Sequence, residues 1–245
     1  MHLNFLTTLK SLLHLGSKDR DRAQRLIDQD DHEYARGHIS TRGPCPGLNA
    51  LANQGYLPRD GTNITIPHVE AALMTALHCS PTLAFALSNT LKPLCRKDGG
   101  TFDLIDMRRH NIIEHDRSLT RLDFRQGDNY SLQPQLLAAL LEHDAKGGPV
   151  TVDTLARSYL RRKKECKQAG APSLPLNLWF VNILQIVSFL YTAQIPGRIL
   201  PREVVKTFYE EERLPDVIVT NEGRRTLPGL VGTALSLLVK VVFRS

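Results

Sequence analysis

The sequence contains few cysteines, a single tryptophan and no low-complexity tract. Its 245 residues include 4 Cys and 1 Trp, and only 6% are aromatic. The cysteines are Cys45, Cys79, Cys95 and Cys166, and no two have the CxxC spacing of a structural zinc site. Four cysteines in a chain of this length do not make a disulfide scaffold. The ordinary hydrophobic content of 42% excludes disorder as the dominant state.

Segments of alternating polar and apolar residues are nearly absent, and the best strand candidate, Val217–Val219, is brief. Most of the chain instead repeats apolar residues at helical spacing. The predicted helices cover about residues 67–77, 81–91, 134–141, 151–166, 176–190 and 202–212. We therefore predict an all-α helical bundle formed by a single domain over residues 1–245, with a helical extension over 1–39 and a C-terminal helix or tail over 216–245.

A concentrated charge of one sign is also missing. The net charge of +6 comes from scattered basic residues, and the densest group, Arg161–Lys164, is typical of a solvated helix end. We therefore expect no nucleic-acid partner. The apolar segment Leu227–Val239 is interrupted by Pro228 and Gly229, so we expect no stable membrane span.

The N-terminal segment has some features of a signal peptide but lacks the decisive ones. Lys10 and His14 lie inside its apolar stretch, and no convincing cleavage site follows. Leu residues at helical spacing favour an amphipathic helix over residues 1–15. We expect an intracellular protein, while secretion stays open.

The most informative segment runs from Gly43 to Gly55. Pro46 suits the first position of a helix, and Gly55 suits the residue just past its end. Cys45 then caps the helix, where unpaired N–H groups and the helix dipole favour a thiolate. A buried turn cysteine is the ordinary alternative. From this segment alone, a reactive thiol and a metal ligand are equal candidates.

Three motifs follow one another along the chain. Pro44-Cys45-Pro46 continues through Gly47-Leu48-Asn49 to Arg59, and Glu114-His115-Asp116-Arg117-Ser118 follows about 70 residues after Cys45. The third motif is Phe208–Pro215. In order and spacing these motifs resemble those of the fungal haem-thiolate peroxidases, which include chloroperoxidase and the short unspecific peroxygenases. The resemblance covers roughly residues 40–215.

The resemblance implies a helical bundle that encloses haem b, with Cys45 as the axial ligand of the iron. Thiolate ligation favours O–O cleavage of a bound peroxide. It also implies a Mg²⁺ or Mn²⁺ ion beside a haem propionate, held by the Glu114 carboxylate, the His115 carbonyl and the Ser118 hydroxyl. Hard oxygen ligands suit either ion. The side chains of His115 and Asp116 would lie on the distal side, where His115 assists proton movement in a tautomer set by Asp116.

The chain contains a second copy of the central tripeptide, Glu142-His143-Asp144. This copy ends a predicted helix and lacks a serine two residues further on. We therefore interpret it as a solvated helix end and assign the cation site to the first copy.

The chain departs from the family at the position of a catalytic residue. Family members usually carry a catalytic glutamate on a later helix, and alignment places Asn182 there. No Asp or Glu occurs between Glu165 and Glu203. An amide can orient a peroxide or a substrate but cannot act as a base near neutral pH. Trp179, Phe180 and other apolar neighbours of Asn182 suit either a hydrophobic substrate or helix packing.

We expect a peroxidase or peroxygenase that uses hydrogen peroxide or an organic peroxide to oxidise a hydrophobic or aromatic small molecule, with a role in fungal secondary metabolism. His115, Asp116 and Asn182 are its candidate catalytic residues. The alternatives are a haem-thiolate isomerase or dehydratase with little peroxide activity, and a non-catalytic haem-binding helical protein. Oligomeric state and the choice among hydroxylation, halogenation and coupling stay open.

Overall fold

A computed structural model describes residues 18–98, 100–142, 147–193 and 199–244. Helices make up 58% of it, and the described residues include only two short strands, β1 (Ile64–Thr65) and β2 (Thr101–Phe102). The strands pair antiparallel, with Ile64 opposite Phe102. The predicted all-α class is confirmed.

The chain forms long helices joined by turns and single helical turns. The α-helices are α1 (Lys18–Asp28), α2 (Pro46–Asn53), α3 (Ile66–Leu77), α4 (Pro81–Asn89), α5 (Pro134–Leu141), α6 (Val152–Gln168), α7 (Leu176–Thr192), α8 (Arg202–Lys206), α9 (Asp216–Val219) and α10 (Leu227–Val242). Short 3₁₀ turns cover Ile39–Thr41, Lys92–Leu94, Leu104–Arg108 and Phe124–Gln126, and a π-helical turn, Thr207–Glu211, continues α8.

Local side chains start several helices where the sequence predicts. The Ser80 hydroxyl accepts a hydrogen bond from the Leu83 N–H at 3.3 Å at the start of α4. The Thr151 hydroxyl accepts a hydrogen bond from the Thr154 N–H at 3.3 Å at the start of α6. These side chains satisfy backbone donors that have no partner inside the helix.

The best strand candidate of the sequence, Val217–Val219, is helical. These residues belong to α9, which follows Pro215 and carries Asp216 in its first turn. An acidic residue there complements the helix dipole. The sequence did not indicate β1 and β2, because two-residue strands are too short for an alternating pattern. Ile64 and Phe102 form their buried pair.

Two groups of helices enclose the core. α10 packs against α6 and α7, and α3 packs against α1 and α4. One face of α10 is buried at Leu230, Leu237 and Val241, while Leu235 on its other face is 58% exposed. In the ranges described, no helix combines the length and apolarity needed to cross a membrane.

Some sequence predictions concern residues outside the described ranges. The amphipathic helix expected over residues 1–15 lies outside the described residues, as do His143 and Asp144 of the second tripeptide. The intracellular location therefore stays a prediction. All four cysteines are free thiols, and Cys79 and Cys166 are buried.

Candidate functional site

The three motifs and α7 meet around one cavity of about 270 Å³. Cys45 lies in its lining together with Glu114, His115, Ser118 and Asn182. Among the described residues of this lining, Glu114 is the only carboxylate and His115 the only imidazole. Much of the remaining wall is apolar, including Leu48, Leu51, Val69, Leu73, Ile186 and Phe208. The cavity therefore brings residues from distant sequence positions to one enclosed, mostly apolar space.

Cys45 is the N-cap residue of α2, as the sequence predicts. Its backbone is extended, with φ −93° and ψ 105°, and Pro46 follows in the first helical turn. The sulfur makes no capping hydrogen bond. A Cβ added to Gly47 would lie 3.9 Å from the Cys45 Sγ and 3.8 Å from the Phe208 ring. Glycine at this position therefore keeps the space beside the sulfur open.

Two opposing effects act on the Cys45 thiol. The backbone N–H groups of Leu48 and Gly47 lower its pKa, as its position at the helix start predicts, and the guanidinium of Arg121 lowers it too. Burial raises the pKa and is the larger effect. A cation bound to the sulfur reverses this balance, because a coordinating thiol loses its proton.

Two asparagines of the first motif hold the start of α2. Asn49 accepts a hydrogen bond from the Gly43 N–H at 3.1 Å and donates to the Gly43 carbonyl at 2.8 Å. Asn49 also donates to a Glu212 carboxylate oxygen at 2.6 Å, and Asn53 donates to the Glu212 backbone carbonyl at 3.0 Å. Both asparagines are fully buried. The first and third motifs are thus joined directly behind Cys45.

Further contacts join the same two motifs. The Gln54 side-chain oxygen accepts a hydrogen bond from the Leu214 N–H at 2.7 Å. The Arg42 guanidinium donates twice to the Asn53 oxygen, at 2.7 and 3.0 Å, and is itself fully buried. Gly55 has φ +69°, and a Cβ there would lie 2.0 Å from the Asp30 carboxylate. The position just past the end of α2 therefore favours glycine.

His115 lies between two oxygen acceptors. Its Nδ1 is 2.7 Å from the Asp116 backbone carbonyl, and its Nε2 is 3.0 Å from the Gln185 side-chain oxygen. Burial lowers the pKa of His115, although both contacts oppose that effect. The Asp116 contact comes from the backbone, whereas the Asp116 carboxylate accepts from the Phe124 N–H at 2.8 Å. Asp116 is not among the described residues that line the cavity.

Glu114 has a neighbour that the sequence did not indicate. Its carboxylate is 2.7 Å from Nδ1 of His110, and the ligand atoms of His110, Glu114 and Asp116 lie within 4.8 Å of one another. Burial raises the pKa of Glu114. The Ser118 hydroxyl accepts from the Thr120 N–H at 3.4 Å. His110 lies four residues before Glu114, but no repeat or motif marks it.

Asn182 is almost completely buried, with 1% of its surface exposed. Its amide donates to the Arg117 carbonyl at 3.3 Å, and its Oδ1 has no hydrogen-bond partner among the described residues. Gln185, one helical turn further along α7, also lines the cavity and contacts His115. Spacing of three residues places both amides on one face of α7.

Trp179 and Phe180, for which the sequence left two alternatives, lie outside the described cavity wall. Trp179 donates to the Tyr159 hydroxyl at 3.1 Å, and Phe180 is 52% exposed. Neither belongs to the described lining. Instead the rings of Phe208 and Phe189 are stacked, with their centroids 3.8 Å apart, and Phe208 contacts Tyr209 edge-on. All three residues line the cavity. These rings are brought together by tertiary packing of α7 against the third motif.

Comparison with known families identifies the fold around this cavity. The family described as "Peroxidase, family 2" matches residues 32–223, which include all three motifs. The chain belongs to this family. The resemblance to the fungal haem-thiolate peroxidases is thereby confirmed, and this family member is an oxidoreductase that uses a peroxide.

Individual relatives agree with the family assignment. An aromatic peroxygenase of Coprinellus radians is 29% identical over 84% of this chain and 89% of its own length. A dothistromin biosynthesis peroxidase of Dothistroma septosporum is 26% identical over 85% of this chain, which spans 56% of that protein. A chloroperoxidase of Leptoxyphium fumago is 33% identical over 38% of this chain and 26% of its own length.

The hydrogen bonds behind Cys45 predict a large effect for Asn53→Ala in this family member. The substitution removes both hydrogen bonds from the fully buried Arg42 to the Asn53 oxygen and leaves the Glu212 carbonyl without the Asn53 donor. We expect the free energy of unfolding to fall by about 3 kcal/mol, since hydrogen bonds to a buried charge are lost. Equilibrium urea unfolding measures this change.

A matched control is Asn89→Ala, which removes a single bond from the Asn89 amide to the Phe85 carbonyl. We expect that variant to lose about 1 kcal/mol. Equal losses in the two variants would show that the network behind Cys45 has no special importance for stability.

Proposed function

We propose that this protein binds haem b through the sulfur of Cys45 and uses a peroxide to oxidise a hydrophobic aromatic small molecule. The observation that carries the proposal is the position of Cys45: its side chain lines the same cavity as His115, Gln185 and Asn182. A sulfur ligand and polar groups that can handle protons thus share one mostly apolar space.

The residues around the cavity fit a haem. Leu48, Leu51 and Leu73 supply an apolar wall, while Phe189 and Phe208 add stacked rings. Gly47 leaves room next to the sulfur, as described above. The raised pKa of Cys45 fits a sulfur whose negative charge is stabilised by a bound metal rather than by the protein alone. When bound, a thiolate-ligated haem supplies the oxidising chemistry that follows O–O cleavage of a peroxide.

His115 is a side chain of the cavity wall that can bind and release a proton. Because burial lowers its pKa, the neutral ring has one N–H for two oxygen acceptors, the Asp116 carbonyl and the Gln185 amide. Uptake of a proton gives both ring nitrogens an N–H, so both acceptors are then satisfied. We infer that His115 takes up and returns a proton at Nε2, the nitrogen that faces the cavity-lining Gln185.

Asn182 has a different role from the glutamate usual in the family. Its Oδ1 can accept a hydrogen bond but cannot take a proton near neutral pH. In this proposal Asn182 orients a peroxide or a substrate, and His115 is the group that moves the proton. Support comes from the lining itself, in which Glu114 is the only described carboxylate.

We also propose that Glu114, the His115 carbonyl and the Ser118 hydroxyl hold Mg²⁺ or Mn²⁺. A buried carboxylate with a raised pKa is stabilised by a nearby cation, and Glu114 and Ser118 both line the cavity. Oxygen ligands suit both ions. His110 is a further donor beside Glu114, at 2.7 Å. The cation would offset the negative charge of the carboxylate in a poorly solvated site.

We propose a role in fungal secondary metabolism, because the names of two relatives point to it. One relative is named for dothistromin biosynthesis, and an aromatic peroxidase of Fusarium equiseti is 32% identical over 47% of this chain. The aromatic rings of Phe189, Phe208 and Tyr209 give the cavity a wall suited to flat apolar molecules.

Replacing Cys45 by Ala should abolish the optical signature of thiolate ligation. The reduced carbon monoxide complex of the wild type should show the red-shifted main band of thiolate-ligated haem, whereas the Cys45→Ala variant should lack it. Cys79→Ala is the matched control, because Cys79 is a buried free thiol outside the cavity lining. A wild type without this band after haem reconstitution refutes the proposal.

Replacing His115 by Gln should slow peroxide-dependent oxidation by about 10²–10⁴-fold, the usual effect of losing a positioned acid–base group. The thiolate band should remain, because the substitution leaves Cys45 intact. The control is His68→Gln, since His68 is also buried, at 7% exposure, but is absent from the described lining. Oxidation by the His115 variant at the wild-type rate contradicts the proposed proton route.

Replacing Asn182 by Glu should raise the rate of peroxide-dependent phenol oxidation, by about 10²-fold or more, because a carboxylate adds a second acid–base group. Asn182→Gln is the control, as it lengthens the side chain without adding a titratable group. The rates are compared at equal haem content. If the Glu variant is no faster than the Gln variant, proton transfer at this position does not limit the reaction.

A further inference from the structure

Arg121 is a buried cation in the wall of the cavity. The residue is 4% exposed and belongs to the lining that also contains Cys45. Among the described lining residues it is the only lysine or arginine. Its Nε donates to the Tyr130 carbonyl at 2.8 Å, and its Nη1 donates to the Thr120 hydroxyl at 3.3 Å. Both acceptors are neutral, so these bonds leave the positive charge in place.

The nearest carboxylate does not complete the pairing. An oxygen of Glu212 lies 4.0 Å from Nη2 of Arg121, beyond hydrogen-bond distance. The same oxygen already accepts a hydrogen bond from Asn49 at 2.6 Å. Within the described parts of the chain, Nη2 has no hydrogen-bond acceptor. Arg121 therefore keeps unused hydrogen-bond donors, and the more distant Glu212 carboxylate offsets its charge without a hydrogen bond.

Other buried arginines of this protein are fully partnered. Arg162, 3% exposed, contacts Asp123 at 3.0 Å and Glu165 at 2.8 Å. Arg225, 2% exposed, donates from all three of its nitrogens to backbone carbonyls. Neither lines the cavity. Arg121 thus differs from these two buried arginines, because its Nη2 has no hydrogen-bond acceptor within the described parts of the chain.

A guanidinium in this position would be stabilised by a bound anion. Burying a charge that has no hydrogen-bonded counter-ion is costly, and burial already lowers the pKa of Arg121. The planar guanidinium matches a carboxylate, with which it forms short charge-assisted hydrogen bonds. An anionic ligand group in the cavity would satisfy Nη2 and neutralise the charge in one contact.

We propose that Arg121 binds a carboxylate in the cavity, and that this carboxylate is a propionate of the haem. The inference rests on the proposed haem binding. Arg121 interacts electrostatically with Cys45 and Tyr209, so it lies on the part of the wall that carries the sulfur. A group held permanently beside Cys45 keeps the buried charge paired at all times, whereas a substrate that leaves after each turnover does not.

The test compares haem b with its dimethyl ester, in which both propionates are esterified. The full chain is freed of haem and titrated with each compound, and affinity is read from the change in the absorption spectrum. The wild type should bind haem b more tightly than the ester, by about 10- to 100-fold, as expected for hydrogen bonds to a charged group. Arg121→Gln should lose this preference and bind both compounds about as the wild type binds the ester.

Arg121→Lys should recover part of the preference, because it restores the positive charge without the planar guanidinium. Arg225→Gln is the matched control, a buried arginine outside the lining, and should keep the full preference. Circular dichroism shows whether each variant is folded, and the lysine variant tests the proposal if the glutamine variant does not fold.

Each other result has a separate meaning. Equal wild-type affinities for haem b and the ester, or equal losses for both in a folded Arg121 variant, overturn the proposal while leaving haem binding intact. If haem affinity is unchanged in that variant but binding of benzoate to the haem-loaded protein weakens, Arg121 binds a substrate carboxylate and the propionate assignment is wrong. A wild type that binds neither compound refutes the proposed function itself.

Discussion

Two buried asparagines and one glutamate decide where the sulfur of Cys45 lies. Asn49 holds the Gly43 backbone from both sides and also binds the Glu212 carboxylate, while Asn53 binds the Glu212 carbonyl. These bonds fix the turn before α2 to the chain segment after α8. They are made by fully buried side chains, so they are not exchanged for water. The family motif around Cys45 therefore has a structural role as well as a chemical one. It supplies the sulfur, and its asparagines place that sulfur at the cavity wall.

The cavity next to Cys45 disfavours the charged forms of the titratable side chains in its wall. Burial raises the pKa of Cys45 and Glu114 and lowers that of His115 and Arg121, so each group is shifted towards its neutral form. The common cause is loss of water around the groups. Such a site favours the binding of groups that bring their own opposite charge, a metal cation for the sulfur and the carboxylate, and an anion for the guanidinium. The four shifts thus have one physical origin and fit the binding of a charged cofactor.

Amides surround the one imidazole of the described cavity lining. Asn182 and Gln185 lie on one face of α7, and His115 is held between a backbone carbonyl and the Gln185 amide. An amide fixes the geometry of its partner without changing charge. His115 is therefore the titratable group that these amides adjoin.

The sequence alone determined the helical class, most helix starts and the part of the site carried by contiguous motifs. Ser80, Thr151 and Cys45 could be assigned to helix starts because capping depends on neighbouring residues. The acid-free stretch around Asn182 was likewise visible in the chain. Only the tertiary structure decided the partners of those residues: His110 beside Glu114, Gln185 beside His115, and Arg121 near Cys45. It also added burial, which raises the pKa of Cys45 against the effect of the helix start. Burial and long-range contacts depend on how distant segments pack, and no local pattern of residues encodes them.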